Sequence, residues 1–141
     1  MAFFCILNYM IIIKYKLKPS KIHEIGLFAD ENIKKDKVVF ESIKQFVSTW
    51  TKNEFVKLDS YTKRYIEHYG SFSDADNLWH LNHDDIRFCN HSIQNNNISR
   101  RNLKTKNYQL IAMCDIKRGE ELLQDYNEFD NTLSKRINIK N

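Results

Sequence analysis

The apolar residues of this chain come in short pieces, and their spacing limits the fold more than any other feature. Ile11 to Lys18 is β-branched and stops at Pro19-Ser20, which reads as a strand and a turn. Gly26-Leu27-Phe28-Ala29 and Val38-Val39-Phe40-Glu41 follow, separated by the polar Lys34-Lys35-Asp36-Lys37, and are expected to pair with each other. Leu78-Trp79-His80-Leu81 is another short strand. Tyr108 to Cys114 is apolar on both faces and should be a central strand, turning through Lys117-Arg118-Gly119-Glu120 into Leu122 to Tyr126.

One helix stands out against this background. Thr51-Lys52-Asn53-Glu54 is a capping box, in which the Thr hydroxyl and the Glu carboxylate each satisfy a free backbone N–H. Phe55, Leu58, Tyr65 and Tyr69 then recur near helical spacing, and Gly70 is the expected left-handed stop, so the helix should span about 53–69 with its apolar face on a sheet. A faint echo links Ala29…Ile33-Lys34-Lys35-Asp36 to Ala112…Ile116-Lys117-Arg118-Gly119, implying two similar corners but no solenoid. Many short strands with one good helix make a β-rich α+β domain.

Composition narrows the classes. A chain of 141 residues, 42% hydrophobic and 28% charged, can bury one core of its own, which argues against disorder and against several domains. The net charge of +4 is interspersed, so no nucleic-acid footprint is written, and direct nucleic-acid binding is not expected. Cys5, Cys89 and Cys114 are odd in number and lack CxxC spacing, which fits an intracellular, reducing compartment. Met1 to Ile13 is apolar but shorter than the ~20 residues a membrane span needs, and Lys14, Tyr15 and Lys16 follow where a leader would carry small residues. The expected layout is an extension over 1–10, one domain over 11–127 and a tail over 128–141, with no membrane partner.

The densest polar stretch runs from His80 to Asn97. His80, His83, Asp84, Cys89 and His91 are all residue types that ligate zinc or manganese, which would suit a metal-dependent nuclease-like domain. No fixed ligand spacing is present, and Asn and Asp side chains capping turns account for many of the same residues.

Arg87-Phe88-Cys89-Asn90-His91-Ser92, followed by Gly119-Glu120-Glu121-Leu122-Leu123-Gln124-Asp125-Tyr126, resembles two signature motifs of the SET-domain protein lysine methyltransferases, RFxNHSxxPN and GEELxxDY. Upstream, Gly26-Leu27-Phe28-Ala29 is similar to the family's GxGxFA turn. The motifs stand in family order and the resemblance covers roughly Ile12 to Asp130. It implies small sheets around a pseudo-knot, in which Asp125-Tyr126 passes beneath the loop carrying Asn90-His91.

By the same resemblance, Asn90, His91, Tyr126 and the strand Gly26, Leu27, Phe28 would bind S-adenosylmethionine. Tyr126 would be the catalytic residue at the methyl-transfer point, and Phe129 and Gln124 would line the lysine channel. The implied substrate is a lysine of a basic protein or peptide, such as a histone. An inactive SET-like module that only binds protein is the main alternative. Four departures are visible. Glu24 stands for the first Gly of GxGxFA, Ile93-Gln94-Asn95-Asn96 replaces Cys-x-Pro-Asn with Asn96 as the surviving match, and Gln124 replaces a frequent aromatic. No cysteine follows Tyr126, so the tail or a second subunit, in a homodimer, is left to complete the channel.

Overall fold

The computed structural model describes residues 10–101 and 109–130. Its strands form three sheets. β1 (Tyr15–Pro19) and β2 (Ile25–Ala29) make an antiparallel ribbon. β3 (Val38–Glu41), β7 (Asn90–His91), β8 (Ile98–Arg101), β9 (Gln109–Ala112) and β10 (Leu123–Gln124) form a mixed sheet in the order β3-β9-β8-β10-β7. β4 (Val47–Thr51), β5 (Ser71–Ser73) and β6 (Leu78–Asn82) form an antiparallel sheet in the order β4-β6-β5. The β-rich α+β architecture is the one the short apolar runs call for. Tyr108 and the tail beyond Asp130 lie outside the described residues.

β2 and β3 do not pair with each other, contrary to the sequence expectation, because each has a different partner: β2 takes β1 and β3 takes β9. The segment between them is committed to the echo. Ile33 and Ile116 form an antiparallel bridge and exchange backbone hydrogen bonds of 2.8 Å in both directions. Asp36 N–H donates to Ala112 O, and its counterpart Gly119 N–H donates to Ala29 O. Lys35 N–H donates to Asp115 Oδ1, and Arg118 N–H to Asn32 Oδ1. The two corners thus cap each other about a local two-fold axis. Each needs a left-handed residue at its turn, met by Asp36 (φ 68°) and Gly119 (φ 93°), an Asp and a Gly being the types that tolerate it.

The helical stretch exists, but in two pieces. α1 (Lys52–Lys57) begins with the capping box, Glu54 N–H on Thr51 Oγ1 and Thr51 N–H on the Glu54 carboxylate. Leu58 then turns extended (ψ 156°), and Asp59 starts α2 (Ser60–Tyr69) as a second N-cap, accepting from Tyr61 and Thr62 N–H. The restart rotates the apolar face. Ile66 becomes the buried residue of α2, while Tyr65 is exposed. Phe55 and Ile66 pack with Phe72, Trp79 and Leu81 to cover the β4-β6-β5 sheet, Phe55 stacking on Trp79 at 4.5 Å. Gly70 is not left-handed (φ −99°). It is there because a Cβ would lie 2.6 Å from both His80 O and Ile66 O. A larger hydrophobic core, mostly aliphatic with Phe40 among Leu27, Ile33, Ile98, Leu110 and Ile116, lies under the mixed sheet. Among the described residues no helix is long and apolar enough to cross a membrane.

Candidate active site

The site is built where β10 enters the mixed sheet. β10 runs parallel to both β7 and β8 and lies between them, although those two strands are joined by residues 92–97. The chain at Leu123 to Gln124 therefore passes beneath that connection, a threading seldom seen. Asn97 holds it in place. Its side-chain amide donates to Glu121 O (2.8 Å) and its carbonyl accepts from Leu123 N–H (2.9 Å), while its backbone N–H donates to Leu123 O (3.0 Å). Asn96, the match to the motif, donates to Met113 Sδ at 3.5 Å on the exposed side, and among the described residues no other side-chain contact is seen for it.

Beyond β10 the chain turns through Tyr126–Glu128, capped by the Asp125 side chain on Asn127 N–H. Tyr126 is fixed at three points. Its N–H donates to His91 Nδ1 (3.0 Å), its hydroxyl donates to Cys89 O, and its ring lies between His91 (5.1 Å) and Phe129 (5.4 Å). His91 Nδ1 lies between that N–H and the Gln124 carbonyl oxygen (3.2 Å), which fixes the orientation of the ring. Cys89 is no nucleophile. Complete burial pushes its thiol far above the thiolate range, the Glu121 carboxylate adding to the effect, and its Sγ donates to Leu122 O at 3.3 Å.

These residues wall a cavity of about 1230 Å³. Asn90, His91, Gln124, Tyr126 and Phe129 line it together. Gly26, Leu27 and Phe28 do not reach the cavity. Leu27 is fully buried in the core with its carbonyl taken by Leu122 N–H, and Phe28 bridges Glu121. Gly26 lies under the Glu121 side chain, where a Cβ would come within 2.1 Å of Glu121 Oε1. The connection runs through Glu121, which accepts from Asn90 Nδ2 (2.8 Å) and Ser20 Oγ (3.0 Å). Asn90 Nδ2 also lies 3.2 Å from His23 O and Ile25 O, so this amide ties the 23–25 loop to the Glu121 carboxylate.

Sequence reasoning missed two parts of the wall: Ile22 to Ile25, and Glu67 to Gly70 at the end of α2. The first overlaps the GxGxFA match only at Glu24 and Ile25, where the family's first glycine is missing. The second was read only as the last turn of an apolar helix face, although its polar residues at the restart register gave a signal. The histidines of the metal reading do not converge. His80 Nε2 pairs with Asp76 (2.8 Å), His83 Nε2 with Ser48 Oγ (2.6 Å), and His91 with the Tyr126 backbone.

A family model described as SET domain matches residues 24–127, from the left-handed Glu24 to the residue after Tyr126. The chain belongs to the SET domain family. A Schizosaccharomyces pombe histone-lysine N-methyltransferase, H3 lysine-4 specific, is 37% identical over 117 residues, covering 77% of this chain. This SET domain spans only 12% of that relative's length. Among solved structures, a Plasmodium falciparum protein assigned as a histone methyltransferase superposes with a TM-score of 0.59 at 18% identity, covering 81% of this chain and 93% of that one. Chaetomium thermophilum Polycomb Repressive Complex 2 bound to S-adenosylmethionine gives 0.63 at 23% identity, covering 92% of this chain and 17% of that one. At those identities the two structures speak for the fold.

Within the SET domain, one carboxylate is placed at an energetic cost. Asp84 heads the 3-10 turn Asp85–Phe88, and neither of its buried oxygens has a well-formed hydrogen bond among the described residues. Burial pushes its carboxyl up to about 6, and the Ile86 N–H and Arg87 offset only part of that. An acid whose pKa is raised on folding holds its proton more tightly folded. Stability therefore falls as pH rises from the ordinary 3.8 to about 6, and the loss is complete above that window. Asp84→Asn should remove this slope and stabilise the domain at pH 7 by about 1 kcal/mol, after allowance for water screening. Urea titrations of both proteins at pH 4.5 and 7 check it; an equal gap at the two pH values would refute the assignment.

Proposed function

We propose that this SET domain is an S-adenosylmethionine-dependent protein-lysine N-methyltransferase acting on a basic protein such as a histone. The observation that carries the reading is the threading itself, which brings Tyr126, Asn90 and His91 together in the lining of a cavity roomy enough for a nucleoside-sized ligand and an alkyl side chain together.

The cofactor supplies the methyl group as a sulfonium. Asn90, His91 and Tyr126 are the residues proposed to hold it, with Gly26, Leu27 and Phe28 supporting them from behind through Glu121. An in-line methyl transfer needs positioning more than acid–base groups. The lysine amine must be neutral, and a channel walled by Tyr126, Phe129 and the aliphatic part of Gln124 lowers its pKa by desolvation. The cavity lining carries acidic and basic side chains together, Glu24, Glu67 and Asp76 with Lys44, Arg87 and Arg100, so the proposed basic-peptide substrate rests on the family and not on the charge of the wall. The proposed setting is an intracellular, reducing compartment without a membrane partner, where a second copy in a homodimer would complete the channel.

Calorimetric titration with S-adenosylmethionine tests the reading. The wild-type domain should bind. Asn90→Ala, which frees the 23–25 loop and strands the Glu121 carboxylate, should bind at least about tenfold more weakly, the equivalent of 1.4 kcal/mol. A wild-type protein with no affinity, or an Asn90→Ala variant of unchanged affinity, would overturn the assignment.

A further inference from the structure

The histidines of the dense polar stretch are dispersed, yet a different His/Glu trio is brought together. His23 and Glu24, on the loop before β2, meet His68 in the last turn of α2, 44 positions later in the chain. His68 Nε2 lies 3.5 Å from one Glu24 carboxylate oxygen and His23 Nε2 lies 3.9 Å from the other. All three donor atoms fall within 4.8 Å of one another, and the two rings sit 5.3 Å apart. We propose that His23, Glu24 and His68 form a zinc site that clasps the 20–24 loop to α2 at the cavity mouth.

Three features carry the inference. The first is spacing: ligand atoms about 2.0–2.2 Å from a tetrahedral zinc are roughly 3.4 Å apart, so the Glu24–His68 edge already has the ligated separation and the exposed His23 ring has little distance to close. The second is backbone placement. Successive residues of an extended chain send their side chains to opposite sides, which would separate His23 from Glu24. Glu24 instead adopts φ 40°, a left-handed conformation unusual for Glu, and with it the carboxylate comes within reach of its neighbour's imidazole. The third is what else could occupy these groups. Among the described residues none of the three side chains has a hydrogen-bond partner outside the trio, whereas His80 and His83 are each engaged with a nearby oxygen.

The donor set narrows the metal class. Two imidazoles and one carboxylate suit a first-row ion such as zinc, the same set also accepting iron(II), and they are too few and too nitrogen-rich for calcium or magnesium, which take oxygen ligands. Three protein ligands leave a fourth position for water or for a group entering the cavity, whose lining includes all three residues. Because His23 O also meets Asn90 Nδ2, the clasp would fix the same loop that Asn90 holds from the other side.

The test is calorimetric titration of the tag-free, EDTA-dialysed chain with zinc chloride, which does not depend on the methyltransferase reading. Wild type should bind one zinc ion and show a higher melting temperature with zinc than with EDTA. His68→Ala and Glu24→Gln should each lose about 100-fold or more in affinity, beyond the 10–100-fold typical of residues that merely support a ligand, with unchanged circular dichroism. His80→Ala and His83→Ala should bind as wild type. Absence of binding by wild type, or undiminished binding by His68→Ala, overturns the proposal.

Discussion

Tyr126→Phe is expected to lower methyl transfer to a basic protein by about two orders of magnitude or more, the scale associated with losing one positioning contact near the reacting atoms. The ring should stay where it is. The rings of His91 and Phe129 lie tilted beside it at 5.1 and 5.4 Å, and its backbone N–H remains on His91 Nδ1. What goes is the hydroxyl, and with it the hydrogen bond that Cys89 O accepts. Loss of that bond in a partly buried setting costs roughly 1 kcal/mol of stability, a small change beside the rate effect. Single-turnover transfer of radiolabelled methyl to core histones, with S-adenosylmethionine affinity measured in parallel, separates catalysis from binding. A variant that transfers at the wild-type rate would make Tyr126 a packing residue, and would remove the role proposed for it while leaving the SET fold untouched.

The legible and illegible parts of this site differ in a physical way. Asn90, His91 and Tyr126 could be picked out because they belong to local words whose order survives in the sequence, and the β-rich class followed from run lengths alone. The echo at 29–36 and 112–119 was visible as text, but not its meaning: that each corner's backbone bonds are satisfied by the other. The same limit hid the role of Asn97, whose three hydrogen bonds to 121–123 exist only once β10 is threaded between β7 and β8. The break between α1 and α2 was a matter of competing caps. Thr51 and Asp59 are both good N-caps, and a second cap eight residues after the first starts a new helix when tertiary packing can use the new register, here by burying Ile66. The trio His23, Glu24 and His68 had no signal, since its spacing reflects the fold and no local chemistry.

Phe40→Ala should destabilise the domain by about 3–5 kcal/mol, enough to consume a large share of the 5–15 kcal/mol typical of folded proteins. Phe40 is fully buried, the largest such side chain among the described residues. Its backbone sits at an irregularity in the β3–β9 ladder, facing Leu110 on one side and bridging Ile11 on the other. The ring therefore joins the incoming chain to the sheet that carries the site, because β9 pairs with β8 and β8 with β10. Truncation leaves a cavity, and neighbours pinned by Ile12 N–H on Val39 O and Glu41 N–H on Met10 O cannot easily collapse into it. Phe40→Leu, which keeps most of the volume, should cost under about 1.5 kcal/mol. Urea denaturation at pH 7 measures both variants. A loss below 1.5 kcal/mol for Phe40→Ala, with an unchanged m-value, would mean that the ring is not the keystone between the N-terminal segment and β9, and that the threaded strand is held by Asn97 and its own ladder alone.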